Sequence, residues 1–283
     1  MTKQLIVKKD NALINACYVM TLAEQRLLLL ASAKAGGEKI ALQGLKLQAS
    51  EYAESFKVSS GAAYKALKEA AEGLFERRVT FHEGPQKKTV TRWVSHVVYQ
   101  EGCIEIAFAP KVQPLLCELK NRFTLYALEQ VASLTSIHAV RLYELLIAWR
   151  TTGKTPVLEL QDFRQKLGIE PDEYPRMTNF KQRVLDPAVA QINAHTDINA
   201  SYTQHKKGRS ITGFSFTFTL RQPARDTQIV DMLAGRSDNE IAGPPKRKVI
   251  TQKEAEAMAR PGESYKQLLA RISREYIVKD LFQ

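Results

Sequence analysis

The sequence predicts an α+β fold in which one series of elements occurs twice. In each copy a helix is followed by a short apolar strand, a short helix, a turn, a longer helix and alternating strands. The first copy covers about residues 21–108 and the second about residues 136–220. Agreement in the order of elements favours a true repeat. This order is that of a winged helix-turn-helix, so we expect two such modules in tandem, followed by a helical C-terminal tail.

The opening helix of each copy is predicted from its first residues. Thr21 stands at an N-cap position, and Glu24 three residues later completes a capping box. The matching helix of the second copy begins at Ser136. Residues 26–27 of the first helix and 141–142 of the second carry the same Arg-Leu pair, which supports the alignment.

The elements that follow also match. Short strands are predicted at 45–47 and 157–160, short helices at 50–58 and 162–169, and longer helices at 61–75 and 177–195. In the short helices the apolar positions agree at one constant offset, with Tyr52, Phe56 and Val58 matching Phe163, Leu167 and Ile169. The closing strands are predicted at 79–81, 90–99 and 104–108 in the first copy, and at 198–203 and 210–220 in the second.

These patterns divide the chain into four parts. The first module covers residues 1–122 and the second residues 123–221; the segment 121–126, after a predicted short helix at 110–119, joins them. Residues 222–250 are predicted to form a flexible linker, because Gly, Pro, Asp and Lys are frequent in residues 235–248. In the tail, 251–283, helices are predicted at 251–260 and 264–280. The second helix has an apolar stripe formed by Tyr265, Leu268, Leu269, Ile272 and Tyr276.

Composition limits the class of protein. With 44% hydrophobic and 25% charged residues in 283, the chain is typical of globular proteins. The net charge of +11 indicates an anionic partner, either nucleic acid or an acidic membrane. No apolar run approaches the roughly 18 residues of a membrane helix, and the first residues are too polar for a secretory signal. We therefore expect a cytoplasmic protein that does not enter a membrane.

The longer helix of the second copy carries the main candidate site. Phe180, Val184, Ala188 and Ile192 share one side, whereas polar residues able to contact base edges share the other. The candidate reading residues are Arg176, Asn179, Lys181, Gln182 and Arg183. Lys181 lies at the flank, where a phosphate contact is expected. Taken alone, this side of the helix is equally consistent with an ordinary solvated surface. Pro187 should interrupt the helix, with Asp186 capping a second segment.

A basic hairpin follows that helix. Lys206, Lys207 and Arg209 flank Gly208 between the last two strands, where they could contact the backbone of a duplex. Lysines at such a tip also serve to block edge pairing between strands. A reading helix followed by a cationic wing nevertheless favours binding to double-stranded DNA.

The first copy is a weaker candidate. Acidic residues at 69, 72 and 76 should repel phosphate, so DNA contact is expected mainly at the start of its longer helix. The candidates on that helix are Ser59, Ser60, Tyr64, Lys65 and Lys68. The candidates for backbone contact from its wing are Arg77, Arg78, Lys87, Lys88 and Arg92. A module used mainly for protein contacts is the alternative.

No enzyme signature stands up to inspection. Gly153-Lys-Thr lacks the earlier glycine of a phosphate-binding loop and ends a helix rather than opening one. The five histidines never form a His-apolar-His pair, and no acidic cluster indicates two-metal chemistry. Three cysteines without C-x-x-C spacing predict buried thiols rather than disulfides or zinc. We expect no catalytic site, metal or cofactor.

Five segments are distinctive when taken together: NACYVMTLAEQRL at 15–27, NRFT at 121–124, AVRLYELL at 139–146, YPRMTNFKQRVL at 174–185 and KKGR at 206–209. In this order they resemble one family, the plasmid replication initiators of the RepA/RepE/π (iteron-binding) superfamily. The likeness covers about residues 5–220. The chain departs from the family pattern at Gln182 and Pro187, since the corresponding helix of some relatives is more basic and uninterrupted. The bases that this helix contacts can therefore differ.

The resemblance implies monomers that bind directly repeated origin sequences (iterons), and dimers that bind an inverted repeat and repress their own gene. The first module would serve largely for dimerisation, in equilibrium with the monomer. The implied partners are a host replication initiator, a replicative helicase and chaperones. The function expected is initiation of theta replication at a plasmid-type origin. A dedicated dimeric transcriptional repressor is the alternative, and a rolling-circle nicking enzyme is a further, disfavoured one.

Overall fold

The structure, a computed structural model, describes residues 4–35, 44–82, 87–117, 123–221, 248–251 and 276–279. The chain forms two compact units, residues 1–241 and 242–283. Both predicted winged helices lie in the first unit. None of the helices in the described ranges is long and apolar enough to cross a membrane.

The first module has the predicted order of elements. Its helices and strands are β1 (Ile6–Asp10), α1 (Asn11–Ile14), α2 (Leu22–Ala35), β2 (Leu45–Gln48), α3 (Ala49–Phe56), α4 (Ser60–Glu76), β3 (Arg78–His82), β4 (Lys88–Arg92), β5 (Val94–Gln100), β6 (Cys103–Phe108) and α5 (Pro114–Cys117). The predicted capping box is confirmed: the Thr21 N–H donates to the Glu24 carboxylate over 2.7 Å, and the Glu24 N–H donates to Thr21 Oγ1 over 3.2 Å.

The second module repeats this order. Its elements are β7 (Phe123–Ala127), α6 (Glu129–Ala132), α7 (Ile137–Ile147), β8 (Leu158–Glu159), α8 (Leu160–Lys166), α9 (Met177–Phe180), a π-turn (Lys181–Leu185), α10 (Asp186–His195), β9 (Ile198–Lys207) and β10 (Ser210–Leu220). In each module a three-stranded antiparallel sheet places the last strand in the centre, in the orders β2-β6-β5 and β8-β10-β9. This shared topology confirms the repeat.

The segment predicted to join the modules forms a strand at its described residues, a secondary structure that the sequence pattern did not predict. This strand, β7, pairs antiparallel with β1, with Ile6 opposite Ala127 and Lys8 opposite Leu125. Its residues Phe-Thr-Leu-Tyr-Ala favour a strand by their shape, and the polar N-terminus supplies the partner. The predicted helix before it begins later than expected, because residues 110–113 form turns and the helix within the described residues is Pro114–Cys117.

A buried charged cluster lies where β1, β7, α2 and α7 meet. The carboxylate of Glu144 accepts hydrogen bonds from Lys9 Nζ over 2.5 Å, from Tyr126 Oη over 2.6 Å and from Arg141 over 2.9 Å. Lys9, Arg141 and Glu144 are at most 1% exposed. Arg141 also donates to the Ile14 and Ala16 carbonyls, which links the N-terminal segment to α7.

The core is continuous across both modules, because buried apolar side chains of α2, α4, α7, α8 and α10 belong to one packed cluster.

The C-terminal unit differs from the secondary structure predicted for it. Lys248–Thr251 and Tyr276–Lys279 are parallel strands, β11 and β12, so the helix predicted over 264–280 is wrong at its end. Tyr, Ile and Val favour strands there. Strand β11 also takes up the end of the predicted linker, residues 248–250, and the first residue of the helix predicted at 251–260, so both predictions are wrong at those residues. The rest of that helix, the remaining stripe residues and the rest of the linker lie outside the described residues.

Candidate nucleic-acid interface

The reading helix, Met177–His195, spans α9, the π-turn and α10. Its buried side, formed by Phe180, Val184, Leu185, Ala188 and Ile192, packs in the core. Phe180 lies against Phe163 and Phe214, with ring centroids 6.3 and 6.1 Å apart. Because this side is anchored by large aromatic rings, the opposite side is held in a defined direction.

The predicted reading residues lie on the outer side. Arg176, Gln182 and Arg183 are exposed, whereas Asn179 and Lys181 are half-buried. Arg183 makes no ion pair within the described part of the chain. Three of the five are thus exposed to solvent, Arg176 at the N-cap and Gln182 and Arg183 within the helix, whereas Asn179 is only partly accessible. Lys181 is drawn to the flank, with its ammonium 5.6 Å from the centre of the Tyr202 ring.

Pro187 does interrupt the α-helical hydrogen bonding, but the result differs from the expected restart. The Asp186 N–H donates to the Lys181 carbonyl, five residues back, and Asp186 itself keeps a helical backbone (φ −63°, ψ −44°). The chain thus forms a π-turn because Pro187 has no N–H for the Arg183 carbonyl. The prediction that Asp186 caps a second helix is wrong, since the helix is continuous there.

The Asp186 carboxylate instead accepts a hydrogen bond from Tyr202 Oη over 2.6 Å. Tyr202 lies on β9, so this contact joins the reading helix to the wing strand. Burial raises the pKa of Tyr202, and the neighbouring Asp186 carboxylate raises it further, so the phenol keeps the proton that it donates. Tyr202 was not among the residues predicted from the sequence. In the sequence it is marked only by its place in the alternating pattern of a strand; in the structure its ring packs against Phe214.

The wing of the second module is the β9–β10 hairpin. Gly208 has φ +63° at its tip, a conformation that side chains other than glycine rarely adopt. Lys206, Lys207 and Arg209 are all exposed around it. Three cations on a protruding hairpin can contact successive phosphates without burying any apolar surface.

In the first module the corresponding helix is α4. Ser59 and Ser60 are exposed at its N-terminus, where backbone N–H groups favour an anion. The Tyr64 hydroxyl donates to the Gln100 carbonyl over 2.9 Å, so it is engaged within the module. Lys65 and Lys68 lie 3.9 and 4.0 Å from the glutamates one turn later, and these exposed ion pairs are weak.

The wing cations of the first module are of two kinds. Arg77 is held by the Glu24 carboxylate over 3.1 Å. Arg92 pairs with Glu76 over 3.0 Å and donates to the Phe75 carbonyl over 2.6 Å. Arg78, Lys87 and Lys88 are exposed on the β3–β4 hairpin. Whether any residue of either module contacts DNA stays a prediction, but the cations of the second module have fewer acidic neighbours.

Two sheet-backed helices, each followed by a basic hairpin, define a tandem winged-helix protein of the DNA-binding class. The comparisons agree. Residues 6–147 match the family model for "Initiator Replication protein, WH1", and residues 159–218 match the model for "Initiator Rep protein, WH2". The chain belongs to this family of initiator replication proteins and is a DNA-binding initiator.

Three relatives each share less than a third of their aligned residues with this chain. A replication initiation protein of Escherichia coli is 26% identical over 247 residues, covering 84% of this chain and 75% of the relative. An uncharacterized 27.6 kDa protein of Escherichia coli is 28% identical over 226 residues, covering 74% and 93%. The crystal structure of the Pi initiator protein in complex with iteron DNA has a TM-score of 0.65 and 22% identity, covering 79% of this chain and all of that one. That likeness supports the fold.

Proposed function

We propose that this protein starts theta replication of a plasmid in the cytoplasm by binding direct repeats, or iterons, within the origin. Each monomer would place its two winged helices in successive major grooves of one repeat. Phosphate contacts would fix the register, and base contacts from the reading helix would select the sequence. The protein would perform no covalent chemistry.

One observation carries this proposal. In the second module an anchored helix presents Arg176, Gln182 and Arg183 to solvent, and the cationic wing follows directly in the chain. Arginine and glutamine are suited to bidentate contacts with guanine and adenine edges. The solved complex of the Pi initiator with iteron DNA has the same fold, which supports a repeat of this kind as the ligand.

We further propose that the protein is also a homodimer, in equilibrium with the monomer, that binds an inverted repeat and represses its own gene. The first module would carry the dimer contact. A host replication initiator, a replicative helicase and chaperones would be its protein partners. Several bound monomers would strain neighbouring A·T-rich DNA, where the host proteins would then assemble.

The test uses the DNA that flanks the gene. The full chain should bind tandem repeats of roughly 20 base pairs, each about two helical turns long, with one monomer per repeat by analytical ultracentrifugation. A plasmid carrying those repeats should depend on the protein for replication. Binding restricted to an inverted repeat, together with no support of replication, would instead identify a dedicated repressor. A covalent tyrosine–DNA adduct would identify a nicking enzyme.

The wing makes a separate prediction. Lys207→Ala removes an exposed cation at the hairpin tip and should weaken binding to all duplexes to the same degree. The slope of log K against log salt concentration should become shallower by about one unit, because one phosphate fewer is neutralised. Fluorescence anisotropy titrations at several salt concentrations measure both. If Lys207→Ala changed the base preference of the protein without changing the salt slope, Lys207 would not be a contact to the DNA backbone.

A further inference from the structure

The π-turn lies within the part of the reading helix that is proposed to contact bases. Gln182 and Arg183 belong to the turn Lys181–Leu185. A π-turn adds one residue to a helical turn, so the side chains before and after it are offset by about 100° relative to a continuous α-helix. The directions of these two side chains therefore depend on whether the turn is present.

Within the turn, neighbouring residues lie on opposite sides of the helix. Val184 and Leu185 are at most 1% exposed, while Gln182 and Arg183 directly before them face solvent. Pro187 favours the π-turn, because an α-helical residue there would donate its N–H to the Arg183 carbonyl and proline cannot.

Tyr202 contacts both ends of the π-turn. Its hydroxyl donates to Asp186, the first residue after the turn, and its ring lies 5.6 Å from the ammonium of Lys181, the first residue in it. The same ring packs edge-on against Phe214 with centroids 5.6 Å apart, which fixes it to the sheet. A side chain anchored on β9 therefore holds the turn in place relative to the wing.

We propose that Tyr202, acting with Asp186 and Pro187, is a specificity-determining positioning residue for DNA recognition. It holds the π-turn so that Gln182 and Arg183 reach base edges in one fixed register with the phosphate contacts of the wing. The inference rests on the proposed function, in which the second module reads DNA. These three residues act through their neighbours rather than by touching bases themselves.

Tyr202→Phe is the direct test, since it removes the hydroxyl and keeps the ring. The measured quantity is the ratio of affinities for a preferred duplex, selected from a randomised pool, and for an unrelated duplex at the same salt concentration. We expect that ratio to fall about 10-fold, equivalent to loss of one good base contact. The affinity for the unrelated duplex and the salt slope should stay unchanged.

Changes at Asp186 supply the rescue test. Asp186→Ala removes the acceptor and should reproduce the effect of Tyr202→Phe, and the double variant should be no worse than either single one. Asp186→Asn keeps an acceptor oxygen and should retain the wild-type ratio within about 3-fold. Because it also removes a negative charge near the phosphates, it should strengthen binding to all duplexes alike.

A matched control lies in the same module. The Tyr143 hydroxyl donates to Asp197 over 2.8 Å; Asp197 lies two residues after the C-terminal end of the reading helix, whereas the π-turn lies near its N-terminal end. Tyr143→Phe loses a similar tyrosine–aspartate bond and should lower the thermal midpoint while leaving the affinity ratio unchanged. If Tyr143→Phe and Tyr202→Phe lowered the ratio equally, the Tyr202 contact would be merely structural and the proposal would be wrong.

The same measurements distinguish failure of the positioning role of Tyr202 from failure of the proposed function. If Tyr202→Phe retained the ratio while Arg183→Ala lost it, the reading helix would be correct and the positioning role would be overturned. If neither variant changed the ratio, the second module would not read bases and the proposed function would fail with it.

Discussion

Glu144→Ala is expected to lower the free energy of unfolding by about 3–5 kcal/mol, a large share of the 5–15 kcal/mol typical of a folded domain. The wild-type carboxylate is fully buried and accepts hydrogen bonds from Lys9, Tyr126 and Arg141. Alanine would leave two cations buried without their counter-charge, and such uncompensated charges are costly. Urea denaturation followed by circular dichroism measures the change.

Glu69→Ala is the matched control. Its side chain is 63% exposed and lies 3.9 Å from Lys65, so its loss should cost no more than about 0.5 kcal/mol. Glu144→Gln keeps acceptor oxygen but no charge and should fall between the two. A loss below about 1 kcal/mol for Glu144→Ala would mean that the cluster does not hold the N-terminal segment against α7.

The contribution of Glu144 should also depend on pH. Burial alone raises the pKa of this carboxyl group, but the charges of Lys9 and Arg141 outweigh burial and lower the pKa below its ordinary value of 4.5. A carboxyl group whose pKa is lowered by folding stabilises the protein at pH values above its ordinary pKa. This stabilisation is lost as the pH falls through the lowered pKa of the folded state. The stability difference between wild type and Glu144→Gln should therefore be full at neutral pH and shrink in acid below about 4.5.

Local patterns predicted most of the fold, and long-range contacts account for what was missed. The capping box of Thr21 and Glu24 and the apolar positions of the short helices depend on neighbours a few residues away, so periodicity reveals them. The pairing of β1 with β7 joins residues more than 100 positions apart. Nothing near Lys9 in the sequence indicates that it is fully buried, because its partner Glu144 belongs to another helix.

In the candidate site, too, the features set by local spacing were predicted and those set by distant partners were not. Helical periodicity separated the two sides of the reading helix correctly, because burial of Phe180 and Val184 follows from their spacing. The role of Asp186 was missed because its partner, Tyr202, is supplied by β9. In the first module, charge alone could not tell that Arg77 is engaged by Glu24 while Arg78 faces solvent.

The two modules are therefore unequal as DNA-binding surfaces. None of the described ion pairs involves the exposed candidate cations of the second module. In the first module Lys65, Lys68, Arg77 and Arg92 each lie within 4.0 Å of a glutamate, although its wing also exposes Arg78, Lys87 and Lys88. An intramolecular partner must be displaced before an arginine can bind phosphate, and this reduces the net gain from binding. Sequence selection should accordingly depend mainly on the second module, so Arg183, an exposed arginine of its reading helix, is the residue to test.

Arg183→Ala is expected to weaken binding to the preferred duplex by about 1–3 kcal/mol, or roughly 5- to 150-fold. Arg183 is exposed and makes no ion pair in the described part of the chain, so its removal should leave folding stability nearly unchanged. Selection from a randomised duplex pool should show a relaxed preference at the base pair that it contacts. Affinity for unrelated duplexes should fall only slightly, as expected for a lost base contact.

Lys207→Ala supplies the comparison that separates base reading from charge. Both variants remove one exposed cation, yet only the loss at position 183 should change which sequences are selected, because Lys207 stands on the wing. If the two variants weakened all duplexes alike and left the selected sequence intact, Arg183 would be a backbone contact. Base reading would then have to come from another surface, and the exposed N-terminus of α4, at Ser59 and Ser60, would be the next one to test.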